Sequence, residues 1–206
     1  MVRRDGGADE TTGDVRLRWF ATLLSRFATG SMIDLGSGHG LFAQLAADRG
    51  WRVTAQDARG DRFPQDDRIT WEVSDVRDLD LSGFDLISCL GLFYHLTLED
   101  QLSLLDRSRG VPVILDTHVA NERPAPMTLS ERVAPQGYRG RYYREPDQAT
   151  HSTASWGNED SFWPRPQALY RMLDERGYDV MASVPFYLPT RTFFLCLPRE
   201  GVAVTA

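Results

Sequence analysis

The segment Met32-Ile33-Asp34-Leu35-Gly36-Ser37-Gly38-His39-Gly40 constrains the fold of this chain more than any other. A short apolar strand over Ser31 to Leu35 runs into three glycines and then into a helical pattern from Leu41 to Asp48. Glycines at a strand-to-helix turn leave backbone amides open to a ligand, and the helix N-terminus behind them favours negative charge. On physical grounds this is a nucleotide site. Its spacing is G-x-G-x-G, whereas the dinucleotide fingerprint is G-x-G-x-x-G.

The rest of the chain repeats the strand-to-helix alternation. Apolar runs predict strands over Arg52 to Gln56, Ile69 to Val73, Phe84 to Leu90 and Val111 to Asp116, with a helix over Leu98 to Leu105, which together mean a doubly wound parallel sheet. After a polar leader over residues 1–13, Asp14 is placed as the N-cap of an entry helix over Val15 to Ala28, whose Leu17, Phe20, Leu23, Leu24 and Phe27 recur at helical spacing. Ala58 to Arg68 is only 11 residues and contains Gly60 and Pro64, so one turn of helix or a plain loop is expected there. From Val119 to Pro164 the periodicity lapses, and a stretch that long in a small domain reads as a functional lid or insertion. Pro166 to Arg176 predicts a helix stopped by Gly177, and Tyr178 to Val184 with Thr192 to Leu197 predicts a closing antiparallel pair. All 206 residues fit one domain burying roughly 70% of its unfolded surface.

Composition removes several function classes. The 23 basic residues are all Arg, so mechanisms that need a Lys amine are excluded, among them a pyridoxal Schiff base, a P-loop ATPase and the usual kinase architecture. A net charge of −6 argues against nucleic acid as partner, because neutralising phosphates takes a dense basic face. Cys89 and Cys196 lie in apolar runs with no paired framework and are expected as reduced thiols in the cytoplasm. The longest apolar stretch, around Leu86 to Phe93, is far too short to span a membrane.

The glycine loop, with Asp57 ending the second strand and Asp75 following the third, resembles the class I S-adenosylmethionine-dependent methyltransferases from Ile33 to Leu197. The resemblance implies a Rossmann-like, doubly wound, seven-stranded α/β sheet with an antiparallel last strand and an insertion after the fifth strand. It implies S-adenosylmethionine as cofactor, with the loop of Gly36, Ser37, Gly38 and Gly40 around its amino acid part and Asp34 near its ammonium end. Asp57 matches the family's ribose-binding acid, with Ala58 beside it. Asp75 stands where the family hydrogen-bonds the adenine amino group, Val76 would supply an amide and apolar contact to the ring, and Leu90 ends the strand beneath the transferred methyl group. An NAD-dependent dehydrogenase is disfavoured by the glycine spacing and by the lack of any Tyr-x-x-x-Lys pair.

For the chemistry, methyl transfer to oxygen gains from a base that accepts the hydroxyl proton. His151 and His118 are the candidate bases, with Glu159 tuning His151 or acting in its place; Tyr94 and His95 are expected to line the acceptor pocket, with His95 mainly orienting the next helix. In the insertion, Arg141, Tyr142, Trp156 and Trp163 interleave aromatic faces with polar groups, as a saccharide requires. This segment is similar to methyltransferases of bacterial saccharide modification, including actinobacterial sugar O-methyltransferases. The leading expectation is an O-methyltransferase for a sugar hydroxyl on a small-molecule or oligosaccharide acceptor, a homodimer being compatible with it. A carboxylate, phenol or modified nucleoside as acceptor, with Arg141 or Arg144 pairing its charge, is the second reading. A cofactor-binding partner subunit without transfer activity is the third. His118, His151, Glu159 and Asp116 could join in a divalent-ion site, for Mg2+ for example, if the insertion folds over the sheet edge.

Overall fold

The computed structural model describes residues 7–121, 129–147, 151, 154–183 and 190–199. Its centre is a seven-stranded sheet. Strands β1 (Ser31–Leu35), β2 (Arg52–Asp57), β3 (Ile69–Val73), β4 (Leu86–Leu90) and β5 (Val113–His118) are parallel. A separate antiparallel hairpin pairs β6 (Gly140–Arg144) with β7 (Asp160–Pro164), and β8 (Tyr178–Ser183) and β9 (Arg191–Pro198) complete the main sheet. The order across the main sheet is β3-β2-β1-β4-β5-β9-β8, with β9 antiparallel to both neighbours. The order reverses between β1 and β4, and open sheets of this kind bind ligands at the carboxyl ends of the strands beside such a switch point.

Helices α1 (Gly7–Leu24) and α2 (Leu41–Ala47) share one core with Met32, Val53, Ala55, Leu86, Ile114, Phe193 and Leu195. Helices α3 (Leu98–Arg107) and α4 (Pro166–Asp174) share the other with Ile33, Leu35, Ile87, Cys89, Leu115, Phe194 and Cys196. The strand period of two divides these residues cleanly between the faces. The same parity puts Asp34, Ser88, Asp116 and Arg191 on the α1 side, where polar groups in a core must find partners.

Two sequence expectations are corrected here, and a third stands. Helix α1 begins at Gly7, so it runs through much of the supposed leader and Asp14 lies inside it rather than capping it; Ala8 and Glu10 are strong helix formers and no proline precedes Val15. The insertion is not wholly aperiodic, since β6 and β7 form an ordered hairpin within it. Between β2 and β3 there is a single turn, Gly60–Arg62, as the short spacing predicts. Beside that turn Phe63 packs against Trp71, their rings 4.9 Å apart.

The hairpin is pinned to the turn that follows β4. Gln101, fully buried on α3, donates Nε2 to the carbonyls of Phe93 and, at 2.6 Å, Phe162. Phe162 N donates to Leu96 O at 3.0 Å, and Thr97 caps α3 by accepting from Asp100 N. The turn Phe93–His95 is therefore held from both sides.

Candidate functional site

A cleft opens at the carboxyl edge of the sheet. Its floor is Gly36, Gly38, Asp57 and Ala58 from the first two strand ends, Asp75 and Val76 from the third, and Leu90, Gly91 and Leu92 from the fourth. Tyr94 and His95 line one side; Ala154, Ser155 and Trp156 from the insertion close another.

The loop glycines divide by task. Gly40, at φ +70°, backs onto Trp71, whose ring would lie 2.5 Å from an added Cβ. Gly38, at φ +54°, would carry a Cβ with no protein atom within 4 Å, so the space above it is open to a ligand. Gly38 N donates to Asp57 Oδ2 at 2.9 Å, and Arg59 N donates to Asp57 Oδ1 at 2.9 Å. Asp57 thus fastens the glycine loop to the end of β2, and each of its oxygens retains one acceptor position. Ser37 lies beneath the loop with N donating to Gln56 O at 2.9 Å. Asp75 is held by Arg77: Oδ1 accepts from Arg77 N and Nε, and Oδ2 from NH2, which leaves one acceptor position on Oδ2. The Arg77 guanidinium holds the Asp75 carboxyl below the usual range.

Asp34 is buried under the loop. Oδ1 accepts from Ser88 Oγ at 2.6 Å, while Oδ2 is buried with no partner. Burial pushes its carboxyl up to about 7, against the lowering effect of Ser88. In the folded chain Asp34 keeps its proton up to that pH, whereas an unfolded chain loses it near 3.8. Stability from this group is therefore greatest below pH 3.8 and declines as pH rises towards 7, by up to about 1.4 kcal/mol per pH unit. Asp34→Asn is expected to flatten that decline, seen as a gain over the parent in urea unfolding at pH 7.5 that shrinks at pH 5; a gain independent of pH would refute the assignment.

Next to it stands a buried charge cluster that the sequence reading did not find. Asp116, fully buried at the end of β5, accepts from Arg16 Nε on α1 and Arg191 Nε on β9, each at 2.7 Å. Arg16 NH2 also donates to Leu90 O at 2.7 Å. Both guanidinium groups line the cleft beside Gly91. Two cations on one carboxylate leave this cluster with a net positive charge.

The expected bases are placed differently from the sequence reading. His118 is buried behind the cleft, its ring stacked on Trp163 at 4.8 Å. Its Nδ1 bonds Thr190 Oγ1 at 3.0 Å and its Nε2 faces Arg191 NH1 at 3.3 Å. Desolvation first, then the Arg191 charge, push it down to about 3, so it is a neutral packing residue with its lone pair already engaged. His151 is exposed and does not line the cleft. Glu159 pairs with Arg144 at the surface, 2.8 Å apart. Among the described residues no three His, Cys, Asp or Glu side chains are gathered so as to hold an ion, so His118, His151, Glu159 and Asp116 do not form the divalent-ion site that the sequence left open.

The acceptor residues divide as well. Tyr94 and His95 line the cleft together, their rings 4.2 Å apart. Trp156 lines it at the far end, under the Arg59 guanidinium at 5.2 Å, with Gly157 beside Arg77. Trp163 is fully buried within the aromatic cluster of Tyr94, His118 and Tyr143. Arg141 and Tyr142 lie on the hairpin away from the cleft, Arg141 donating to Ser130 O. The sequence reading also missed Glu145, buried just after β6, which bonds His95: Nδ1 lies 2.9 Å from Glu145 Oε1.

No protein-family model and no curated protein matches the sequence. Among solved structures, the N-terminal domain of EvdMO1, determined in the presence of SAH and D-fucose, is similar over 94% of this chain and 84% of its own, at 19% identity and TM-score 0.65. The Burkholderia thailandensis 1,6-didemethyltoxoflavin-N1-methyltransferase is similar over 94% and 83%, at 15% identity and TM-score 0.63. The glycopeptide N-methyltransferase MtfA, complexed with S-adenosyl-L-methionine, is similar over 96% and 90%, at 20% identity and TM-score 0.60. Strand order, the antiparallel closing strand and these likenesses together identify the architecture as the Rossmann-like class I methyltransferase fold.

Proposed function

We propose that the chain is an S-adenosylmethionine-dependent methyltransferase whose acceptor is a hydroxyl of a sugar or glycoside. The observation that carries the cofactor assignment is the open space over Gly38, bordered by carboxylates that end two successive strands and keep acceptor positions free. The unpartnered Asp34 Oδ2 beneath the same loop fits a nearby cationic group such as an ammonium. The cofactor, when bound, supplies an electrophilic methyl group on a sulfonium.

The chain's own residues divide the remaining work. Asp57 accepts from the ribose hydroxyls while keeping the loop in shape, and the last acceptor position of Asp75 takes the adenine amino group. Ala58, Val76 and Leu90 give apolar contact. The Arg16 guanidinium, on the cleft floor, suits the carboxylate end of the amino acid part. Tyr94 offers an aromatic face of the kind that packs on sugar C–H surfaces. The sugar acceptor is supported by the similar EvdMO1 domain, whose structure was determined in the presence of D-fucose.

The net positive charge left by Arg16 and Arg191 favours a second reading, in which the acceptor bears a carboxylate or phenolate. Methyl transfer from labelled cofactor to glycosides, aromatic acids, amines and nucleosides separates the two. Transfer confined to amines or nucleosides would sink the sugar hydroxyl, and cofactor binding without any transfer would favour a partner subunit. Asp57→Ala is expected to weaken binding of S-adenosylhomocysteine by about 1–3 kcal/mol, because a buried charged acceptor is lost. Calorimetry with unchanged affinity would remove Asp57 from the site.

A further inference from the structure

The side chain that faces the cleft with a base's geometry is His95, and its partner comes from the insertion. Glu145 has almost no exposed side-chain surface. Its Oε1 accepts from His95 Nδ1 and Ser161 Oγ, and its Oε2 accepts from Ser155 N at 3.1 Å. A carboxylate has only acceptors to offer, so a proton of this pair sits on His95 Nδ1, and the neutral ring then carries its lone pair on Nε2. Nε2 has no hydrogen-bond partner among the described residues, and the ring lines the cleft beside Tyr94. His118, the other histidine of this cluster, has both nitrogens engaged.

We propose that His95 is the general base of the transfer and that Glu145 is its positioning residue, so that the acceptor is a hydroxyl needing deprotonation. This rests on the methyltransferase reading. In the step, the hydroxyl oxygen bonds to the methyl carbon as the carbon–sulfur bond breaks, its electron pair staying on sulfur, and the hydroxyl proton passes to His95 Nε2. Glu145 stabilises the imidazolium that results, and the proton leaves to water through the open cleft before the next turnover. The two groups are 50 residues apart and meet only because the hairpin is seated on the turn of His95. Phe162 N to Leu96 O and Gln101 Nε2 to Phe162 O hold it there. The base is therefore complete only when the insertion is docked.

His95→Asn tests this directly, because its amide can still donate to Glu145 and keep the hairpin seated while it removes the base. Turnover of a hydroxyl acceptor is expected to fall by about 10²–10⁴-fold, with KM for the acceptor and affinity for S-adenosylhomocysteine nearly unchanged. Glu145→Gln is expected to lower kcat in the same way, and Glu145→Asp to restore part of it. In nitrogen-15 NMR of the wild-type chain the His95 proton should sit on Nδ1, and Glu145→Gln should shift it towards Nε2. A purely structural tie would leave hydroxyl turnover in His95→Asn at the wild-type level, which would overturn the dyad, as would a wild-type proton on Nε2 or transfer to amines only. A wild-type chain that binds no S-adenosylhomocysteine would overturn the methyltransferase reading and the dyad with it, whereas normal cofactor binding with turnover indifferent to His95 overturns the dyad alone.

Discussion

Gly38→Val is expected to abolish binding of S-adenosylmethionine and S-adenosylhomocysteine to a chain that still folds. An added Cβ at Gly38 meets no protein atom within 4 Å, so the substitution fills ligand space rather than core. It also carries a backbone cost, since φ is +54° and a side chain in the left-handed region costs roughly 1–2 kcal/mol. Gly38→Ala carries much of that cost with less bulk. Alanine should therefore lose about 10- to 100-fold in affinity, corresponding to the 1–3 kcal/mol typical of overpacking, and valine should fall below detection. Gly40→Val is the contrasting case, because its Cβ would strike the Trp71 ring and the fold itself should weaken. Circular dichroism separates the two outcomes from calorimetry. A valine variant at Gly38 that binds the cofactor normally would place the ligand elsewhere.

The loop shows what a sequence exposes and what it hides. The three glycines and the strand before them are legible because both signals are local: apolar alternation up to Leu35, then residues that tolerate a tight turn. Asp57 and Asp75 were legible for the same reason, as acids at strand ends. That Asp57 also grips Gly38 N, and that Arg77 claims most of Asp75, required the side-chain geometry. Similarly, the 11 residues between the second and third strands ruled out a full helix, but nothing local announced that Phe63 and Trp71 would pack together there.

The chemistry was harder to read because its contacts are distant in sequence. His95 and Glu145 are 50 residues apart, Arg191 and Asp116 are 75, and Arg16 and Asp116 are 100. Periodicity and spacing motifs operate over a few turns and carry no such information. Glu145 follows the run Gly140-Arg141-Tyr142-Tyr143-Arg144, where adjacent aromatics blur the alternation that would have marked a strand. Histidines in chemically suggestive company drew attention to His151 and His118. The fold leaves the first at the surface and engages both nitrogens of the second. A useful signal was present for Arg16: it sits one turn before Phe20 on the apolar side of α1, where an arginine needs a buried partner.

That partner sets the largest expected loss of stability. Asp116 is fully buried, and each of its oxygens accepts a guanidinium Nε at 2.7 Å. Arg191 is further tied to His118, and Arg16 to the Leu90 carbonyl, which holds both cations beside the carboxylate. Asp116→Ala would leave two guanidinium groups facing each other across the gap with their charges uncompensated. Breaking a buried pair in this way costs about 3–5 kcal/mol, whereas replacing all partners by apolar groups is often neutral. Urea unfolding of Asp116→Ala should show that loss, and the triple change Asp116→Leu with Arg16→Met and Arg191→Met should recover much of it. Asp48→Ala, which breaks a pair to Arg68 that is more than half exposed on both sides, should leave the midpoint where it was. If Asp116→Ala unfolded at the parental midpoint, the cluster would not be a buried ion network. The net positive charge assigned to that cluster, and the second reading of a negatively charged acceptor that rests on it, would fall together with it.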